Sequence, residues 1–251
     1  MFMNIVVTGG NGKLGQNIVE RLKEKNNIIL LTRNIEKTKK IFNRDKNIYS
    51  YKCDLEKSED INNAILSIMR DFNKIDIIIN NAAVDIDQPM IDTTKEEFEK
   101  IMKINLFAPY YICQKVIPYM KNMKFGKIIN ISSDLSVRTV KNATEYSISK
   151  AGLDALTRSI AVEYGEYGIR ANTININGMK GYTTKVNEIT DIFSKNDEDY
   201  DDWKQPKERI PLSRRGTFDE FVDVIEFLCS EKSNYITGVN IPVDGGIIAK
   251  L

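Results

Sequence analysis

Histidine is absent from all 251 residues. That absence excludes every mechanism built on an imidazole, including Ser-His-Asp hydrolysis, His-ligated zinc and histidine proton shuttles. Acid–base work must fall to Tyr, Lys, Asp, Glu or Cys. Cysteine is scarce too: Cys53, Cys113 and Cys229 are odd in number, far apart and without metal-ligand spacing. A disulfide framework or a zinc site is therefore not expected, and each thiol reads as a small apolar packing residue. Net charge is nearly lacking, because 36 Lys and Arg meet 35 Asp and Glu, so no field favours nucleic acid or an anionic membrane. The 6 Pro and 14 Gly are too few for a collagen-like or low-complexity chain. No apolar run approaches the roughly 18 residues of a membrane span. Ile5-Val6-Val7 is too short for a signal-peptide core. These absences point to a soluble, cytoplasmic protein.

What is present is alternation. Short β-rich runs at 4–8, 28–32, 48–53, 75–80, 127–132, 170–176 and 239–243 are separated by helical patterns near 13–25, 58–72, 94–122, 146–164 and 218–230. Several runs carry consecutive apolar residues, as in Ile77-Ile78-Ile79 and Ile128-Ile129, as strands covered on both faces do. Alternation of this kind predicts right-handed βαβ units, an α/β fold with one parallel sheet, and a single domain over 1–251. The segment 178–212 breaks the rhythm: it is long and polar and carries an acidic run, Asp197 to Asp202, before Trp203. Its place after a strand's carboxyl end reads as a lid over a site.

The first strand runs into Thr8-Gly9-Gly10-Asn11-Gly12-Lys13-Leu14-Gly15, where a helical pattern begins. Glycines let backbone N–H groups approach a phosphate, and a helix amino terminus adds unpaired donors and partial positive charge. A glycine turn alone is weak evidence; one between the first strand and the first helix is much stronger. The second strand ends at Thr32-Arg33 with no Asp or Glu before Glu36. An acidic residue there would bind the adenosine ribose of NAD, whereas Arg33 offers a fork suited to the 2′-phosphate of NADP. Lys13 adds a second positive charge, so NADP(H) is favoured over NAD(H).

Tyr146 and Lys150 sit four apart at the start of a strong helical pattern, on one helix face. A free tyrosine ionises near ~10, too high for a base at neutral pH, and a neighbouring ammonium lowers that value. Most such pairs on surface helices are inert; this one has company. Ser133 follows the fifth β run, Asn80-Asn81-Ala82-Ala83 ends the fourth, and Asn105 interrupts a helical pattern where its propensity is poor.

With these residues the chain resembles the short-chain dehydrogenase/reductase family over nearly its whole length. The glycine turn, Asp54 in Cys-Asp-Leu, Asn80-Asn81-Ala82-Ala83, Asn105, Ser133, Tyr146-x-x-x-Lys150, Pro211-Leu-Ser-Arg-Arg and Ile236-Thr-Gly-Val-Asn-Ile-Pro-Val-Asp-Gly-Gly246 carry the match. The resemblance implies a Rossmann-like, doubly wound sheet of about seven parallel strands with helices on both faces. It also implies a homo-oligomer, tetramer or dimer, and hydride transfer between NAD(P) and a small-molecule carbonyl or secondary alcohol. Carried onto this chain, Tyr146 is the general acid, Lys150 lowers its pKa and bonds the nicotinamide ribose, Ser133 polarises the substrate oxygen, and Asn105 anchors a water behind Lys150. Cofactor contacts fall to Gly9, Asn11, Gly12, Lys13, Leu14, Gly15, Arg33, Asp54 with Leu55, Asn81 and Ala82.

Three positions depart from the family pattern. Lys13 stands where its common turn has a glycine, and the spacing Gly9, Gly12, Gly15 is similar to that of the longer sugar-nucleotide epimerases and dehydratases. Those carry an added carboxyl-terminal region, and the short stretch after Val-Asp-Gly-Gly246 favours the compact subfamily. Asn177-Gly178 replaces the usual Pro-Gly, leaving Gly178 and Thr183 or Thr184 for the carboxamide end of the cofactor. Glu145 directly precedes Tyr146. A non-catalytic dinucleotide sensor and an epimerase-like enzyme are the competing readings; the filled Tyr, Lys, Ser and Asn positions favour a reductase.

Overall fold

The computed structural model describes residues 2–43, 45–177 and 210–250. Gly178, Thr183, Thr184 and all but 210–212 of the expected lid lie outside them. Seven strands form one parallel sheet: β1 (Met3–Thr8), β2 (Asn26–Thr32), β3 (Ile48–Lys52), β4 (Ile77–Asn80), β5 (Gly126–Ser133), β6 (Ile169–Ile176) and β7 (Asn240–Val243). Their order, β3-β2-β1-β4-β5-β6-β7, reverses between β1 and β4. That reversal opens a crevice beyond the carboxyl ends of those two strands, where doubly wound folds bind ligands.

Helices α1 (Lys13–Leu22) and α7 (Phe218–Cys229) cover one face; α3 (Ser58–Phe72), α5 (Ala108–Met123) and α6 (Thr144–Tyr164) cover the other. The paired isoleucines explain how. In successive residues of each strand, side chains leave opposite faces, so Val6, Ile78 and Ile128 join the α3–α5 core while Ile77, Ile79 and Ile129 join the α1–α7 core. Each such side chain, fully withdrawn from water, contributes about 1.5–3 kcal/mol.

A row of polar residues crosses the sheet centre in register, Asn80 beside Asn130 beside Thr173. Asn80 Nδ2 donates to Asn130 Oδ1 at 2.7 Å, and Asn130 Nδ2 donates to Thr157 Oγ1 of α6 at 2.8 Å. Thr173 Oγ1 donates to the same hydroxyl at 2.8 Å. A buried network of this kind fixes the seat of α6 against β5 and β6, because a shift by one residue would break each bond.

Two elements differ from the expectation. A short helix α2 (Ile35–Ile41) follows β2, capped by Asn34, whose side chain accepts from Lys37 N. The long helical pattern at 94–122 divides into α4 (Lys95–Met102), a π-helical turn at Lys103–Phe107 and then α5. Thr94 and Glu97 start α4 with a reciprocal capping box. Among the described residues no helix is long and apolar enough to cross a membrane.

Candidate active site

At the β1–β4 crevice two loops are locked together. Thr8 Oγ1 accepts the backbone N–H groups of Asn81 and Ala82, each at 3.0 Å. Asn81 Nδ2 returns bonds to Thr8 O and Gly9 O, each at 3.1 Å. Gly9 sits at φ +66°, where its missing side chain matters. A Cβ on Gly15 would fall 2.1 Å from Gly9 O, so α1 could not start this close to the turn with any other residue. The cradle is therefore kept open by hydrogen in place of methyl, at a helix amino end, and it fits a pyrophosphate.

The remaining turn residues divide the work. Leu14 turns its side chain into the core. The Asn11 amide donates to Thr38 Oγ1 at 2.9 Å and Thr32 Oγ1 at 3.2 Å, tying the turn to the end of β2 and to α2. Gly12 N closes the turn onto Gly9 O at 3.1 Å. Lys13 opens α1 and is partly buried, while Arg33 is exposed just past β2. Asp54 Oδ1 accepts from Glu56 N at 3.2 Å beyond β3, and Leu55 packs against the α3–α5 core.

On the other side of the crevice, α6 carries partly buried Tyr146 and fully buried Lys150. Lys150 Nζ donates to Ile131 O of β5 at 2.7 Å and lies 5.4 Å from the centre of the Tyr146 ring. Burial pushes the Lys150 ammonium down to about 8, against the opposing pull of Asp154 and Asp85. Ser133 ends β5; its hydroxyl accepts from Leu135 N at 3.2 Å and donates to Asp134 Oδ1 at 3.0 Å. Asp134 is itself buried, paired with Arg138 and bonded by Asn177 Nδ2 at 2.6 Å. Burial raises its carboxyl, opposed chiefly by the Arg138 charge. Asn177, standing where the family has proline, thus ties the end of β6 to the end of β5.

Asn105 lies in the π-helical turn, the irregularity that helices adopt at functional positions. Its amide is bound on both sides by one loop residue: Nδ2 donates to Val84 O and Oδ1 accepts from Val84 N, each at 2.8 Å. Nδ2 also reaches Ser149 Oγ at 3.0 Å, adjacent to Lys150. The structure so brings Asn105, Ser133, Tyr146 and Lys150 to one end of the sheet.

Three further groups belong to this neighbourhood and were not singled out from the sequence as site residues. Thr8 is the hydroxyl that locks the two loops; its only signal was a threonine closing an apolar strand. Asp85 is partly buried, accepts from Ile86 N at 2.7 Å, and burial pushes it up to about 7. Glu145, whose direction the sequence left open, faces inward: it is 4% exposed, and its Oε2 has no hydrogen-bond partner among the described residues.

A doubly wound sheet with an open glycine cradle at its switch point defines a dinucleotide-binding protein. A sequence profile described as Enoyl-(Acyl carrier protein) reductase matches residues 11–248. The chain belongs to the short-chain dehydrogenase/reductase family, whose members are oxidoreductases acting on CH–OH or C=O groups with NAD(P). It is 31% identical over 244 residues to a 3-oxoacyl-(acyl-carrier-protein) reductase of Buchnera aphidicola, covering 96% of both chains. It is 30% identical over 249 residues to the enzyme of that name from Aquifex aeolicus, again covering 96% of each. Among solved structures, a putative gluconate dehydrogenase from Agrobacterium tumefaciens superposes with TM-score 0.87 at 26% identity, covering 99% of this chain and 97% of that one.

Proposed function

We propose that this protein reduces a carbonyl group to a secondary alcohol with NADPH, using Tyr146, Lys150, Ser133 and Asn105. The observation that carries the reading is the buried Lys150 ammonium held between Ile131 O and the Tyr146 ring. A cation fixed there favours the phenolate and brings Tyr146 into range for proton transfer. Tyr146 donates its phenolic proton to the developing alkoxide. Ser133 Oγ, at the end of β5, hydrogen-bonds the same oxygen and orients it. Lys150 holds the charge that eases the proton off Tyr146, and Asn105 fixes the loop at Val84 against α6.

The bound nicotinamide supplies the hydride. The residues that would hold the cofactor are the Gly9–Gly15 turn for the pyrophosphate, Asp54, Leu55, Asn81 and Ala82 for the adenosine, and Arg33 with Lys13 for a 2′-phosphate. Gly178 and Thr183 complete the proposed set. Supporting NADPH is the planar, exposed guanidinium just beyond β2, with no carboxylate between it and Glu36. The chain's relatives make 3-oxoacyl thioesters the first carbonyl compounds to assay. Exposed Phe107, Tyr110, Ile148 and Val162 on and beside α5 and α6 support self-association through those helices.

Titration with NADPH and NADH, followed by turnover on ketones and 3-oxoacyl thioesters, tests the reading. NADPH is expected to bind at least about 10-fold tighter, with Arg33→Ala removing the preference. Tyr146→Phe is expected to abolish turnover and keep NADPH binding. Equal affinity for NADH overturns the cofactor choice, and undiminished turnover in Tyr146→Phe overturns the mechanism.

A further inference from the structure

Asp154 lies one turn beyond Lys150 on α6 and is 2% exposed. Its Oδ2 accepts from Asn240 Nδ2 of β7 at 2.7 Å and from Asn175 Nδ2 of β6 at 3.4 Å. Asn175 Nδ2 also donates to Ser136 Oγ at 2.8 Å. Four side chains from separate parts of the fold thus meet in one cluster a helical turn beyond Lys150 on α6. Three side-chain oxygens of the cluster, the second carboxylate oxygen of Asp154 (Oδ1) and the amide oxygens of Asn175 and Asn240, are buried and have no hydrogen-bond partner among the described residues.

Three orphaned acceptors in one cluster call for a shared positive partner, because an unmet buried acceptor is destabilising. Turning either amide over does not supply it: an amide oxygen would then face Asp154 Oδ2, and a bond to a carboxylate would be lost. One water donates two hydrogen bonds and leaves a third acceptor unmet. A cation has no such limit, and carboxylate plus amide carbonyls form a hard, all-oxygen donor set. The set carries one formal negative charge, and Lys150 sits a turn away, so it offers too little charge for a divalent ion.

We propose that Asp154, Asn175 and Asn240 bind an alkali-metal cation, Na⁺ or K⁺, in the buried cluster between α6, β6 and β7. The ion joins the last two strands of the sheet to the helix that carries Tyr146 and Lys150, and it stabilises that seat. The site lies one helical turn from Lys150, and its existence does not depend on which carbonyl compound is reduced.

The full-length protein, exchanged into choline chloride, is melted in choline, sodium and potassium chloride at equal ionic strength. The expected result is a Tm higher by about 3–5 °C in one alkali salt, once that cation is at ~10 times its Kd. Asn240→Leu is expected to melt alike in all three salts. Should that variant fail to fold, crystals of the unaltered protein soaked in rubidium chloride read the site directly. An anomalous peak in bonding contact with the three oxygens sustains the proposal. A water or no density at that point overturns it, as does equal melting of the unaltered protein in every salt.

Discussion

In the two loops at the β1–β4 crevice Thr8, Asn11 and Asn81 are answered from within the chain, whereas around α6 several polar side chains are not. Thr8 receives two N–H groups, Asn81 gives its amide to two carbonyls, and Asn11 is held by two threonines. On the other side, Lys150 and Asp85 are pushed toward neutrality by burial, and Glu145 keeps an oxygen unanswered among the described residues. The loop side chains of the first region are satisfied before any ligand arrives, so their task is shape. The second stores electrostatic strain, as sites that move protons do. A substitution should therefore damage the first region through stability and the second through activity.

Lys150→Met is the strongest attempt to break that division. Turnover is expected to fall by about 10²–10⁴-fold, the range of a lost acid–base partner. Stability should move the other way at neutral pH. The folded Lys150 titrates near 8 against 10.5 for the free side chain, so the unfolded chain holds the extra proton between those values. The penalty of the buried charge is thus full below pH 8 and disappears as pH climbs toward 10.5. Lys150→Met should melt higher than the unaltered protein at pH 7 and no higher at pH 10.5. A lower Tm at pH 7 would place Lys150 among the structural groups.

Gly15→Ala probes the opposite region. Its methyl would sit 2.1 Å from Gly9 O, a backbone atom that cannot swing away. A loss of about 3 kcal/mol is expected, the upper end for overpacking, read by urea denaturation. NADPH affinity should fall with it, because the turn must open to admit the methyl.

Much of this division was legible in the residues. Paired isoleucines announced strands buried on both faces, and each predicted run lies within two residues of an observed strand boundary. Tyr146 and Lys150 were readable because one helix face joins them, and the glycine turn because its glycines are adjacent in sequence. What escaped depends on partners far along the chain. The π-helical turn at Lys103–Phe107 leaves the apolar period almost unchanged, so 94–122 read as one helix. Asn105 meets Val84 across 21 residues, and Asn80 meets Asn130 across 50. No spacing rule reaches such contacts. Helix α2 has only one buried residue, Thr38, so no apolar stripe marked it.

Thr8→Val removes the hydroxyl that joins the two loops and keeps its volume. Two backbone N–H groups, on Asn81 and Ala82, lose their acceptor. A loss of about 2 kcal/mol is expected, since each unmet donor that stays partly wetted loses less than the full penalty. With a chain of this length the Tm should drop by about 4–8 °C. Turnover at saturating NADPH should barely change, which is the signature expected of a region that supplies shape.

Asp85→Asn carries the smallest expected effect and discriminates most finely. Burial raises the Asp85 carboxyl from 3.8 to about 7, with Asp87 and Glu145 raising it further and Lys150 and the Ile86 N–H opposing them. The folded chain therefore keeps a proton that the unfolded chain has released, and stability falls as pH rises from about 4 to 7. An amide has the shape of the protonated acid and no charge to lose. At pH 8 the variant should be more stable by on the order of 1 kcal/mol, discounted from the full shift because Asp85 is only partly buried. At pH 4 the two proteins should melt together. Activity should respond in the other sense: Asp85 supports the Lys150 charge, so its loss lowers the Lys150 pKa and moves the alkaline limb of turnover to lower pH. A gain in stability coupled to a narrowed pH range is what stored strain in the α6 region requires; a gain with an unmoved pH profile would separate Asp85 from the proton-transfer groups.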